Sequence, residues 1–148
     1  MLRLFFIIFS FFFFENSSFS KDEYFLTLRN DKVNLRQGPS FEYPIKIFYK
    51  KKFLPVLIED TFENFRKIKD HENNTGWIHI SQLSKKKAAI VIVDELIVFN
   101  KPTVFSTPNV ILSKGRLCKI IKCKENWCKI KVDKYKGWIK KDSLWGLF

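Results

Sequence analysis

The sequence is poor in glycine, histidine and acidic residues. Its 148 residues include 5 glycines, 2 histidines and 15 acidic side chains, against 27 basic ones. The scattered glycines form no phosphate-binding loop, and the spacing around His71 and His79 fixes no nucleophile or carboxylate as a catalytic partner of either histidine. We interpret Asp70-His71-Glu72 as a charged loop insertion. The sequence therefore predicts neither an enzyme nor a cofactor.

Cysteine is also scarce, with 3 residues. Their spacing is not that of a Cys-x-x-Cys metal site and no histidine lies near them, so no metal is expected. A two-residue hairpin turn at Glu125-Asn126 would place Cys123 directly opposite Cys128. Residues opposed in this way have Cα atoms about 4.5–5.5 Å apart, which is close enough for a disulfide in an oxidising compartment. Cys118 is left over, and we expect it to be buried.

Long apolar runs are absent except at the N-terminus. Arg3 precedes an apolar stretch over residues 4–14, and Ser18-Phe19-Ser20 follows it as a small-x-small site, which is the pattern of a secretory signal peptide. The stretch is too short for a membrane-spanning helix, which needs roughly 20 residues. We predict that residues 1–20 are a signal peptide and that the protein is exported, either periplasmic or secreted. A signal anchor that is not cleaved is the alternative.

The formal net charge is +12. Such a charge is compatible with nucleic acid, anionic lipid or a polyanionic wall as a partner. The abundance of Lys, Phe, Ile and Asn also has a compositional explanation in AT-rich codons. Because an exported protein rarely meets the nucleic acid of its own cell, we expect no nucleic acid partner. Peripheral contact with an anionic membrane is retained as an alternative.

After residue 20 the sequence contains an internal repeat. Asn64–Ile68 matches Asn126–Ile130, and each segment is followed by a Gly-Trp-Ile triplet, at Gly76 and at Gly137. The copies run from about residue 33 to 84 and from about 97 to 146. Short β-branched segments bounded by turn residues predict strands, and no segment has the pattern of an amphipathic helix. The repeat predicts an all-β fold of two small, partly open barrels.

The segment joining the copies contains three lysines and an apolar run. We interpret Lys85–Lys87 as a solvated linker. The run from Ala88 to Val93 is expected to be a strand that opens the second repeat or packs between the two. Because the separation is short, the barrels are expected to touch.

The first copy resembles the bacterial SH3 domain family. The opening motif is Val33–Ser40, and the closing motif begins at Gly76-Trp77-Ile78-His79. The tract 43–49 and the terminal 142–146 resemble an alphaproteobacterial subgroup with two such domains behind a signal peptide. The resemblance implies two tandem SH3-like β-barrels, in residues 21–86 and 87–148. The second is divergent, since Phe99 and Lys101 stand where the family has arginine and glycine.

Seven residues of these motifs are predicted to have structural roles. Gly38 and Pro39 are expected to form a sharp turn, because glycine tolerates positive φ and proline fixes its own φ. Asn34 and Arg36 are expected to hydrogen-bond neighbouring loop backbone. The remaining three are Gly76, Gly137 and Trp138 of the closing motifs.

Strand alternation identifies a candidate binding surface. If Ile130 is in the core, Trp127 faces outward. The same count in the first copy places Phe65 and Ile68 on different sides of their strand, so that Phe65 also faces outward. An exposed aromatic residue beside a basic strand suits an extended peptide or a sugar-peptide face. We predict a ligand-binding surface made by Tyr43, Phe65, Trp77 and Trp127.

Two functional hypotheses follow. In the first, the protein is a non-enzymatic binding module of the cell envelope that recognises peptidoglycan peptides or an extended protein segment. In the second, it is a structural adaptor whose two barrels dock on another envelope protein. The aromatic side chains have an alternative interpretation as well, in which they cap the barrels or pack between the repeats.

Overall fold

The computed structural model describes residues 22–147, which form fourteen β-strands and two 3-10 helices of three residues each. The predicted signal peptide lies outside the described residues. The first seven strands are β1 (Tyr24–Leu28), β2 (Val33–Arg36), β3 (Ile45–Tyr49), β4 (Pro55–Phe62), β5 (Phe65–Lys69), β6 (Thr75–His79) and β7 (Leu83–Ser84). The second seven are β8 (Ala88–Val91), β9 (Glu95–Phe99), β10 (Pro108–Ser113), β11 (Leu117–Lys124), β12 (Trp127–Val132), β13 (Tyr135–Lys140) and β14 (Leu144–Trp145).

The two halves have the same topology. The strand order is β3-β2-β6-β5-β4-β1-β7 in the first sheet and β10-β9-β13-β12-β11-β8-β14 in the second. The 3-10 helices, Ile80–Gln82 and Lys141–Ser143, occupy equivalent places before the last strand of each half. Across residues 22–147 no helix has the length and apolar character required to cross a membrane. The all-β prediction of two tandem barrels is confirmed.

Each sheet encloses its own core, built from the inward side of the alternating strands. The first core contains Leu35, Ile68 and Ile78, and the second contains Ile130 and Ile139, all fully buried. Burying an aliphatic side chain of this size contributes about 1.5–3 kcal/mol. The alternation predicted around Ile130 is therefore the one observed.

The hairpins have the predicted register. Two-residue turns follow β4 and β11, so that Phe62 pairs with Phe65 and Cys123 pairs with Cys128. Cys123 and Cys128 form a disulfide, with Cα atoms 4.0 Å apart. This separation is shorter than the expected distance of about 4.5–5.5 Å for opposed residues. Cys118 is a buried free thiol.

The two barrels contact each other along a seam. Ile90 of β8 is buried in the first core, although its strand belongs to the second sheet. The Trp145 ring packs edge-on against Phe25, with 4.9 Å between ring centroids. A Cβ added at Gly146 would lie 2.8 Å from Pro55 Cβ. Strand β8 thus both opens the second repeat and packs between the barrels.

Gly76 is required by the close approach of β2 to its antiparallel neighbour β6. A Cβ at this position would lie 2.7 Å from both the Arg36 carbonyl oxygen and Leu35 Cγ. Gly76→Ala is expected to lower the free energy of unfolding by about 1–3 kcal/mol, the usual cost of overpacking. The urea midpoint measures this, with Thr75→Ala as the control, since Thr75 lies on the outward side of β6. Equal midpoints for the two variants would contradict the explanation that Gly76 is required because β2 and β6 leave no room for a Cβ.

Asp70 is a buried carboxylate satisfied by four hydrogen bonds. Burial alone would raise its pKa, but donors from the Asn74 side chain, the Tyr49 hydroxyl and the Asn74 and Glu72 amides outweigh burial, so the pKa lies below its ordinary value. A carboxyl whose folded pKa is depressed stabilises the fold above its unfolded pKa, about 3.9, and loses that contribution as the pH falls through the folded value.

We therefore expect the stability difference between wild type and Asp70→Asn to be largest near neutral pH. It should shrink as the pH falls below about 4. Denaturant unfolding over this pH range measures it. A difference that is constant with pH would show that the ionised carboxylate contributes nothing.

Candidate functional site

An aromatic cluster covers the outward side of the first barrel where β5 begins. Phe65 of β5 is paired with His79 of β6, and Phe41 from the β2–β3 loop packs against both. The ring centroids of Phe41 lie 5.2 Å from Phe65 and 5.1 Å from His79. The His79 Nδ1 atom lies 2.7 Å from the Ser81 hydroxyl, which fixes the imidazole. We call Phe41, Tyr43, Phe65 and His79 the aromatic surface.

Arg36 at the end of β2 fastens the loop that carries Phe41 and Tyr43. Its Nη1 atom donates to the Phe41 carbonyl oxygen at 3.0 Å and to the Tyr43 carbonyl oxygen at 2.9 Å. The guanidinium carbon also lies 5.4 Å from the centroid of the Phe41 ring, within the range of a cation–π contact. Arg36 thus makes the backbone hydrogen bonds expected of it. At Asn34 the backbone amide donates to Gln82 Oε1.

Gly38 has a different role from the expected one. Its φ is not in the left-handed region, where the described glycines are Gly115 and Gly146. Instead, a Cβ at position 38 would lie 2.5 Å from ring carbons of Tyr43. The glycine is needed because the Tyr43 ring lies against the backbone of the loop, and the tolerance of glycine for positive φ is not used at this position.

The exposure of Phe65 also differs from the prediction. Phe65 faces outward but is only 6% exposed, since Phe41 and His79 cover it. The accessible rings are Phe41, at 63% exposed, and Tyr43, at 48%. Sequence reasoning missed Phe41. The available signal was an aromatic residue in a loop rich in turn-forming residues, where binding residues are often found.

The remaining two predicted ligand-binding residues lie elsewhere. Trp77 is on β6, opposite Lys67, and borders a cavity of about 300 Å³ together with Gln37 and Lys46. Trp127 is in the second barrel, where it packs edge-on against Phe99 with 5.9 Å between ring centroids. Tyr43 therefore shares a loop with Phe41, the residue that packs on Phe65, whereas Trp77 is on the neighbouring strand and Trp127 is in the other barrel.

The second barrel lacks the residues that build the aromatic surface. Phe99 pairs with Trp138 where Arg36 pairs with Trp77, and Lys140 takes the position of His79. Gly137 has the same steric role as Gly76, since a Cβ there would lie 2.7 Å from the Phe99 carbonyl oxygen.

The described residues contain no cluster suited to a metal ion, and their free cysteine is buried. No three histidine, cysteine or acidic side chains in residues 22–147 lie close enough together to hold a metal ion. Burial raises the pKa of the Cys118 thiol to about 11 despite the opposing charge of Arg116. This thiol is therefore neutral at physiological pH and a poor nucleophile.

The repeated topology and the close approach within the β2–β6 and β9–β13 strand pairs define a protein made of two small barrels of the SH3 type. The model of the bacterial SH3 domain family matches residues 29–85 and 93–146. The chain belongs to this family.

Solved structures similar to the chain are longer than it, and the chain spans about half the length of each. NlpC2 from Trichomonas vaginalis is 15% identical with a TM-score of 0.38, and the match covers 84% of this chain and 48% of that one. NlpC1 from the same organism is 16% identical with a TM-score of 0.37, covering 86% and 47%. An NlpC/P60 family protein from Bacillus cereus is 10% identical with a TM-score of 0.37, covering 82% and 55%. The comparison with curated proteins finds no match.

Replacing Arg36 by lysine is expected to loosen the loop 37–44. A lysine ammonium lacks the planar fork of arginine, so the two hydrogen bonds to loop carbonyls are not both retained. We expect amide hydrogen exchange in residues 37–44 to accelerate about tenfold, which corresponds to the loss of about one hydrogen bond. Arg66→Lys is the matched control, because Arg66 also donates from Nη1 to two carbonyl oxygens, outside this loop. Unchanged protection in Arg36→Lys would contradict the fastening role.

Proposed function

We propose that the protein is a non-enzymatic binding module of the cell envelope whose first barrel binds peptides of peptidoglycan through the aromatic surface. The observation that carries the proposal is an exposed aromatic ring held in a fixed position. Phe41 is 63% exposed, yet it is stacked on Phe65 and His79 and fastened by Arg36.

A ring held in this way is suited to binding. An exposed phenylalanine gains free energy when a partner covers it, and a ring that is already immobilised loses little conformational entropy on binding. Aromatic faces pack against extended peptides and against sugar-peptide surfaces. The Arg36 guanidinium beside Phe41 supplies a positive charge suited to the carboxylates of a stem peptide.

The envelope location is part of the same proposal. Family membership and the Cys123–Cys128 disulfide support it, because disulfides persist in oxidising compartments. The predicted signal peptide at residues 1–20 supports export to the periplasm or the medium.

The test is co-sedimentation of purified sacculi with the chain from Lys21 onward, since both barrels lie within residues 22–147. Phe41→Ser with Tyr43→Ser should weaken binding at least tenfold, because truncating a contacting aromatic residue costs about 2 kcal/mol. Phe48→Ser is the matched control, since Phe48 is 65% exposed on β3 of the same barrel. Thermal melts of each variant report the folded fraction.

Two outcomes would contradict the proposal. The first is sacculus binding that is unchanged in the Phe41 and Tyr43 variant. The second is a single dominant protein crosslinked in cells without any retention on the wall, which would favour the adaptor hypothesis.

A further inference from the structure

The outward side of the second barrel carries an array of lysines. The strands β11, β12 and β13 are neighbours, and residues directly opposite one another share a side of the sheet. Three cross-strand rows result: Lys119, Lys131 and Lys136; Lys122, Lys129 and Trp138; and Lys124, Trp127 and Lys140. We call the seven lysines of these rows the lysine face. The three strands contain no acidic residue.

The first barrel shows that the fold does not require these lysines. The equivalent rows there are Leu57, Lys69 and Thr75; Asp60, Lys67 and Trp77; and Phe62, Phe65 and His79. They contain two lysines, together with an acid and several apolar or neutral side chains. Topology and register are the same in both barrels, so the difference lies in the surface alone.

The lysine face is electrostatically unfavourable for the isolated protein. Like charges directly opposite each other on neighbouring strands destabilise a sheet, and Lys131 lies between Lys119 and Lys136. Within residues 22–147 none of these three forms an ion pair with a carboxylate. The Lys119 ammonium instead lies 4.6 Å from the Phe53 ring centroid. An anionic surface placed against this side relieves the repulsion.

An apolar loop tip adjoins the same side. Phe99, whose ring contacts Trp127, leads directly into the loop 100–107. In this loop Phe105 is 95% exposed and Val104 is exposed as well. A soluble polyanion gives an exposed phenylalanine no favourable environment. The interfacial region of a bilayer provides a favourable environment for the ring, and the anionic headgroups pair with the lysines.

We propose that the lysine face docks the second barrel on the surface of an anionic phospholipid bilayer, with Phe105 entering the interfacial region. Trp127 and Trp138 lie among the lysines, and tryptophan is favoured at headgroup depth. The proposal is independent of the function proposed for the first barrel, because the two use different residues.

Vesicle co-sedimentation of the chain from Lys21 onward tests the proposal. Wild type should bind vesicles of phosphatidylcholine mixed with phosphatidylglycerol and should be released by moderate salt. Lys124→Gln, Lys131→Gln and Lys136→Gln together should weaken binding about a hundredfold, at about fivefold for each lysine. Lys32→Gln, Lys50→Gln and Lys114→Gln are the matched control, because they remove the same charge from exposed positions outside the strands. The control should lose much less binding.

Phe105→Ser distinguishes a bilayer from a soluble polyanion. It should weaken binding to the mixed vesicles about tenfold and leave binding to soluble polyphosphate unchanged. Equal losses in the two lysine triples would overturn the proposal, as would Phe105→Ser without effect on vesicle binding. Melting temperatures should be unchanged or higher in the Lys124, Lys131 and Lys136 triple, since like-charge contacts are removed.

Discussion

The fold of each half depends on one close approach, where the second and sixth strands pair side by side at a glycine. At Gly76 and at Gly137 there is no room for a Cβ, because a carbonyl oxygen of the neighbouring strand lies 2.7 Å from where it would be. This contact brings Arg36 to the edge of β6, and Arg36 in turn holds the loop that carries Phe41. The aromatic surface is thus a consequence of backbone packing several residues away.

The duplicated sheet separates what the fold needs from what each surface does. Both barrels retain a glycine at the close approach of the second and sixth strands, a two-residue hairpin turn and a buried isoleucine, which is Ile78 in the first barrel and Ile139 in the second. The outward residues at matching positions differ in chemistry. In the first barrel they include aromatic side chains beside a loop that Arg36 fastens, and in the second barrel most of them are lysines. Two copies of one scaffold therefore present two different surfaces, which is consistent with function residing in sites rather than in folds.

The sequence was informative where local periodicity decides the structure. Hairpin spacing was sufficient to predict that Cys123 lies opposite Cys128, since register in a tight hairpin follows from the turn. The burial of Phe65 was not predictable in this way, because the residue that covers it, Phe41, comes from the β2–β3 loop and is held there by a side-chain hydrogen bond from Arg36. The same holds for Gly38, whose neighbour Tyr43 comes from further along the loop. Strand alternation predicts which side of the sheet a side chain faces, but it does not predict which residues cover that side chain.

The seam gives the molecule a property that neither barrel has alone. Ile90 is built into the sheet of one barrel and buried in the core of the other, and Gly146 lies against Pro55. A packed interface of this kind restricts relative motion far more than a flexible linker does, so the two barrels keep a constant separation and orientation. If the first barrel binds peptidoglycan and the second a bilayer, as we propose, the chain is a spacer of fixed length, and attachment at one end raises the effective concentration of the other end at its own target.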